Sequence, residues 1–235
     1  MHRKVLGVVG ELLITFGLIA LLYVGYSLWF TNAISDLNAR ESAQRFLSRV
    51  EVAVAEPEQQ QAPTELEPQD ETEVAARFEP VEPFGLLYIP RLASDVWAEP
   101  LVSGIYYRAL ASGVGHYPTT ELPGEVGNFA IAGHRASNGE PFARFERLQA
   151  GDRVFVQTLD GWFEYELSKD MKIQEDEVWV LADSPDGQGF EPGAKLITLT
   201  TCDPRWNSYQ RWAWWGVLVA TYPLEETPAE ILEVG

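Results

Sequence analysis

The sequence predicts an all-β domain, a barrel or sandwich, preceded by one membrane-spanning helix and an acidic linker. Three observations predict it. From about Glu82 onward, short apolar runs are separated by Gly, Pro and Asp, the pattern of many short strands. Residues Leu12 to Phe30 form an uncharged run about as long as a bilayer-spanning helix requires. Between the two, Ala55 to Pro80 is rich in Glu, Gln and Pro and poor in β-branched and aromatic residues.

The chain opens Met1-His2-Arg3-Lys4 and then runs from Val5 to Phe30 with Glu11 as its single charge. A secretory signal would be shorter and would end at small residues, whereas this run ends in Tyr26, Leu28, Trp29 and Phe30. A retained anchor with an interfacial aromatic belt is expected over residues 1–31. Arg3 and Lys4 on the short side favour a cytoplasmic N-terminus and an extracellular domain. Arg40, Arg45 and Arg49 lie on the other side, where a large following domain is translocated despite nearby charge.

Residues 32–82 form the expected juxtamembrane segment. Asn32 to Val54 is compatible with a helix, and Ala55 to Pro80 reads as a self-repelling linker that would hold the domain away from the membrane. The folded β domain is expected over residues 83–222 and a peripheral acidic tail over 223–235. Strands are expected at Gly85–Ile89, Trp97–Val102, Asn128–Ala132, Arg153–Thr158, Trp162–Lys169, Val178–Leu181, Leu196–Thr201 and Trp212–Tyr222. Asp160-Gly161 is a hairpin-turn signal. Pro141 to Leu148 places Phe142, Phe145 and Leu148 on one face of a short helix, with Pro at a tolerated early position.

Composition excludes several functions. The formal charge is −18, with 35 acidic against 17 basic residues, which opposes a nucleic-acid backbone. Cys202 is the single cysteine, so neither an intramolecular disulfide nor a thiolate metal cluster can form. The histidines are His2, His116 and His134, with no HExxH spacing, so neither a metal nor a cofactor is expected.

Leu196 to Cys202 reads LITLTTC. On a strand, Ile197 and Leu199 face the core, which leaves Cys202 on the less apolar face at the strand end, before the turn-forming Asp203-Pro204. That is a good position for nucleophilic attack, although the strand alone leaves packing and catalysis both open. If the next run, WAWWGVLVATY, is an antiparallel neighbour, Arg211 returns to the level of Cys202, where a guanidinium could hold a carbonyl or oxyanion. Arg205, inside the intervening loop, is the competing candidate. His134 ends another apolar strand in NFAIAGHR and could donate a proton to a leaving amine. His116, in GVGHYP, could equally be a satisfied loop residue.

TLTTC ending a strand, Arg211 opening the next and AGHR upstream resemble the Cys, Arg and His of sortases. The segments GELLITFG, GVGHYPTTELPGEVGNFAIAGHR, NGEPF and TLTTCDPRW resemble the class E housekeeping sortases of Gram-positive bacteria with GC-rich genomes. One departure is Asp203, where many relatives have His or Asn. The resemblance implies an eight-stranded β-barrel with short helices, in which Cys202 is the nucleophile, His134 the general acid and base, and Arg211 the substrate or oxyanion ligand. It implies Tyr117, with Thr200 and Thr201, beside the substrate groove. The implied reaction is transpeptidation: a surface protein is cut between Thr and Gly of an LAxTG- or LPxTG-like signal and joined to an amine of a cell wall precursor. A surface cysteine hydrolase using the same residues and a non-catalytic wall-binding barrel are the alternatives. A pilus-type lid with an Asp-Pro-aromatic motif is absent from Val50 to Pro83.

Overall fold

The computed structural model describes residues 2–26, 30–55, 81–185 and 187–234. Eight strands follow one another as β1 (Pro83–Tyr88), β2 (Glu99–Ser103), β3 (Val114–His116), β4 (Gly127–Ala132), β5 (Arg153–Thr158), β6 (Gly161–Gln174), β7 (Lys195–Asp203) and β8 (Gln210–Tyr222). They close into a barrel in the order β1-β2-β3-β4-β7-β8-β6-β5, so no strand edge is left open. Most neighbours are antiparallel, while β2–β3 and β4–β7 are parallel. Alternating residues fill the interior: Leu87, Leu101, Phe129, Ile131, Val154, Val156, Ile197, Leu199 and Trp214 belong to one buried cluster.

One expected strand needs correction. Val178–Leu181 is a 3-10 helix. A four-residue apolar run carries no period of its own, and here its carbonyls are claimed by the buried Asn128, whose amide donates to Val180 O (3.3 Å) and Ala182 O (3.0 Å). The eighth strand is instead β3, three residues long and wedged between β2 and β4. The short helix of the Pro141–Leu148 segment is a 3-10 helix at Phe145–Arg147 preceded by turns, and Phe142, Phe145 and Leu148 are all buried.

Helix α1 (His2–Gly25) is long and apolar enough to cross a membrane, with mean hydropathy 2.1 over Gly7–Gly25 and none of that span buried. Helix α2 (Thr31–Ala55) lies along β1 and β2. Its apolar residues are ragged in sequence, yet Ala43, Phe46 and Val50 share one face and pack with Leu86, Tyr88, Phe155 and Trp162 outside the barrel. Among the described residues there are also two short α-helices, α3 (Tyr107–Leu110) and α4 (Ala229–Val234), and Ile231 of α4 joins the cluster under α2. At its far end α2 is pinned by Arg49, which donates to Glu82 Oε1 and Pro83 O, both at 3.2 Å. The acidic stretch lies, from residue 56 on, outside the described residues; the segments flanking it meet at this one end of the barrel.

At the opposite end, Asp36 of α2 comes close to Glu99 at the start of β2. Burial, with the charge of Asp36 added, pushes the Glu99 carboxyl up to about 8. Burial also raises Asp36, opposed by Arg40 and aided by Glu140. A carboxyl whose folded pKa is raised binds its proton more tightly when folded, so stability falls as pH rises from the ordinary carboxylate range through about 8. Glu99→Gln is therefore expected to melt with the parent at pH 5 and above it at pH 9. A gap between the two that does not change with pH in thermal melts would refute this.

Candidate active site

Strand β7 lies between β4 and β8, and its register with both assembles the site. In the parallel β4–β7 ladder Ala132 stands beside Thr200. Two residues further along both strands come His134 and Cys202, at the same level by continuation of that register. Cross-bonds carry the pairing past the end of β4: Gly133 N–H donates to Thr200 O (3.1 Å), and Thr201 Oγ1 donates to Gly133 O (2.7 Å). The Phe142 N–H holds His134 O at 3.0 Å. Gly133 has no room for a side chain, since a Cβ there would lie 2.7 Å from the Phe142 ring.

In the antiparallel β7–β8 ladder Cys202 is directly opposite Arg211. Directly paired residues share a face, and Ile197 and Leu199 occupy the core face. Cys202 and Arg211 therefore stand together on the other one. Arg211 donates to Ser208 O and Gln210 O, both at 2.9 Å, and to Glu175 at 3.1 Å. Three of its five N–H donors are so engaged, which leaves two for a substrate oxygen. The loop of Ser208 and Gln210 orients the guanidinium. Arg205 is occupied elsewhere, paired with Glu140 at 2.8 Å and set over the Trp206 ring.

Tyr117 reaches the same face, its hydroxyl 3.0 Å from Thr200 Oγ1. Burial pushes its phenol up, and the bond to Thr200 and the positive charge of Arg211 oppose that. Cys202 acts on it as well, so Tyr117 senses both residues of the β7–β8 pair. The hydroxyls of Thr200 and Thr201 are buried and bonded to Ile131 O and Gly133 O. His134 is half-buried, its Nε2 buried and without a partner among the described residues. Burial lowers its pKa, so the neutral imidazole dominates near pH 7. His116 is instead a packed residue of β3, bonded to Glu121 O at 3.0 Å and set against Phe84 and Phe129.

The structure adds a cluster that sequence reasoning missed. Asp203 alternates to the side away from Cys202 and is buried, paired with Arg135 and with Lys172 at 2.9 Å. Burial would raise its carboxyl, but the bonds and charges of Lys172 and Arg135 outweigh that and hold it low. Arg135 also pairs with Glu146 (3.1 Å) and, with Lys172, sits over the Trp212 ring. The residue after His134 thus grips the residue after Cys202. The signal was an Arg directly after the candidate His and an Asp directly after the candidate Cys, a complementary pair that local spacing does not connect. Among the described residues no group of three or more His, Cys, Asp or Glu is arranged to hold a metal. Of the acidic Glu175–Glu177 loop, Glu175 pairs with Arg211, and Glu177 accepts from Gln174 N–H and from Trp179 Nε1.

Comparison with known proteins bears on the family and the fold. Residues 87–219 match the family model described as the sortase domain. The chain is 33% identical to sortase E1 of Streptomyces coelicolor over 227 residues, covering 92% of this chain and 57% of that relative. It thus spans little more than half the length of that protein. It is 30% identical to sortase E2 of the same organism, covering 93% of this chain and 83% of the relative. Sortase E from Streptomyces avermitilis superposes with a TM-score of 0.58 at 36% identity, over 63% of this chain and 96% of that one. Sortase E1 from Streptomyces coelicolor with a tripeptide in its active site gives 0.59 at 34% identity, over 63% and 96%.

Removing Asp203 leaves Arg135 buried with one partner fewer. Breaking a buried ion pair from one side costs on the order of 3–5 kcal/mol. For a domain of this size that corresponds to a fall in Tm on the order of 10 °C. Asp203→Ala is expected to lose stability on this scale and Asp203→Asn less, since its amide oxygen still accepts from Arg135. The native carboxyl is held low, so the stability it contributes is complete above the unfolded carboxylate range and disappears as pH falls through its folded value. The gap between wild type and Asp203→Ala should therefore close in acid, and melts at neutral and acid pH that differ by the same amount would refute it.

Proposed function

The chain belongs to the sortase family, and from that premise we propose that it is a membrane-anchored cysteine transpeptidase acting at the cell surface. The observation that supports this best is the pairing of Cys202 with Arg211 on one face, at the level where the β4–β7 register brings His134. In this reading α1 anchors the chain with its N-terminus in the cytoplasm and the barrel outside. The substrates are surface proteins with an LAxTG- or LPxTG-like sorting signal, and the acceptor is an amine of a cell wall precursor. The tripeptide bound in the active site of the Streptomyces coelicolor relative supports a peptide groove at the corresponding place.

The chemistry follows from the side chains. Neutral His134 takes the Cys202 thiol proton as Sγ attacks the carbonyl of the signal threonine. The two donors left on Arg211 face the oxygen on which charge develops. As the Thr–Gly bond breaks, the imidazolium passes its proton to the departing glycine amine, leaving a thioester on Cys202. The acceptor amine then attacks that carbonyl, its surplus proton goes to His134, and the thiolate leaves and is reprotonated. Tyr117 borders the groove, and Thr200 and Thr201 contribute by fixing the strand end on which Cys202 stands.

The test incubates the chain with a panel of sorting peptides, with and without an amine acceptor, and weighs the products. A ligated product is expected with the acceptor. Cys202→Ala should give neither product nor thioester while keeping its fold by circular dichroism. Arg211→Ala should lose about two to three orders of magnitude, as for one lost oxyanion donor. Arg211→Lys, which keeps the charge and loses the planar fork, should also be badly impaired, and Arg205→Ala should lose far less. Hydrolysis alone would mark a hydrolase instead, and an inactive Arg205→Ala beside an active Arg211→Ala would exchange their roles.

A further inference from the structure

The start of α2 touches the catalytic rim. Asn32 Oδ1 accepts from Gly139 N–H at 3.3 Å, and its Nδ2 donates to Glu140 Oε1 at 3.2 Å. Gly139 packs directly on α2: a Cβ there would lie 3.3 Å from Ser35 Cβ, and its φ of +83° favours glycine in any case. Gly139 and Glu140 belong to the loop that follows His134. Glu140 passes the connection on, since its Oε2 accepts from Arg205 in the loop that follows Cys202. Beyond Arg205 that loop presents two aromatic side chains to solvent, Trp206 at 66% and Tyr209 at 59% exposure.

The strand directions fix which end of the barrel this is. β4 and β7 end here, β8 begins here and β6 ends here, so the rim held by Asn32 is the rim that carries Cys202, His134 and Arg211. The far end, where the β5–β6 hairpin turns at Asp160, lies beyond the pinning of Arg49, about 25 Å further along α2. Asn32, in turn, is seven residues beyond Gly25, where the apolar span ends. Even fully extended, seven residues reach at most about 25 Å.

We propose that the catalytic mouth faces the membrane, with Trp206 and Tyr209 resting in the lipid interface and α2 acting as the clamp that holds them there. The proposal rests on the reading of α1 as an anchor. Its occupant is the lipid surface, on the ground of chain continuity: the shortest path from the span to the barrel enters at this rim, and indole and phenol rings favour the interfacial zone. The net charge of −18 argues for a zwitterionic rather than an anionic surface. The acidic stretch after residue 55 therefore does not set the height of the barrel above the membrane, because the chain contacts the barrel before reaching it.

The single cysteine makes the test clean. Full-length chain carrying Cys202→Ala together with Trp206→Cys, or with Asp160→Cys at the far end, is labelled with an environment-sensitive fluorophore. Both are reconstituted into phosphatidylcholine vesicles containing a lipid with a nitroxide on its headgroup. The expected result is strong quenching at position 206 and little at 160, with quenching at 206 lost when a Gly/Ser segment of about ten residues is inserted between Phe30 and Thr31. Asn32→Ala with Ser35→Leu, which pries the loop from α2, should weaken it in the same direction. Equal quenching at both positions, or none, in chains that float with the vesicles overturns this inference alone. So does shielding of position 206 that appears only when a sorting peptide is added. A chain that does not float overturns the anchor reading, and this inference with it.

Discussion

The register of β7 between β4 and β8 is the constraint from which the site follows. Side chains alternate along a strand, so a slip of one residue would turn Cys202 into the barrel and bring Asp203 out. The sequence guards against this with its threonines. Thr198 Oγ1 donates to Asn128 Oδ1 at 2.7 Å, Thr200 Oγ1 to Ile131 O at 3.0 Å and Thr201 Oγ1 to Gly133 O. Each bond reaches across to β4 or the residue just past it, and each would be left unmade in a shifted register, where a buried hydroxyl without a partner is costly. Ile197 and Leu199 add the complementary demand that their own face be dry. The hydroxyls flanking the cysteine are thus positional devices, and the pairing of Cys202 with Arg211 is a by-product of a strand held in one register.

Two chains of charge then fix the loops that the ladders leave behind. On the core side, Arg135 joins the His134 loop to Asp203, with Lys172, Glu146 and the Trp212 ring closing around it. On the α2 side, Asn32 and Arg205 hold Glu140 from opposite directions. The loop after His134 is gripped at its first residue and at its sixth, so an irregular segment behaves as part of the wall. Pairing matters for a further reason. In a chain of net charge −18, an unmatched carboxylate buried at this strand end would be costly, and Arg135 and Lys172 match the one on Asp203.

Much of this was legible in the sequence wherever a residue's role depends on its neighbours along the chain. The facing of Ile197 and Leu199, the exposure of Cys202 at a strand end and the return of Arg211 to its level all follow from strand period and loop length. What escaped depended on partners far away. β3 is only three residues long, and VGH is held as a strand by β2 and β4 rather than by any pattern of its own. The VWVL run looked like a strand because it is apolar; it is a 3-10 turn because Asn128, fifty residues earlier, takes its carbonyls. Asn32 is the first residue of the segment read as compatible with a helix, and nothing local connects it to Gly139. The motif residues were visible because their geometry is local, and the clamps were not because theirs is tertiary.

The proposed placement of the mouth also bears on the partition between water and amine, which decides whether a thioester enzyme is a transpeptidase. Water is present throughout at high concentration, so an amine competes only if it is held near the thioester more often than its bulk concentration would allow. Under the proposed reading, confinement would supply that advantage without any additional contact: an acceptor itself held at the membrane and a mouth facing it would meet at an effective concentration set by the layer they share. A mouth displaced outward on a flexible tether would lose this factor while keeping every catalytic side chain in place. A helix docked along the barrel wall is a stiff spacer of fixed length, and the one seen here enters at the catalytic rim instead of the far end. Under the proposed reading, selection of the acceptor depends on where α2 begins as much as on the surface beside Cys202.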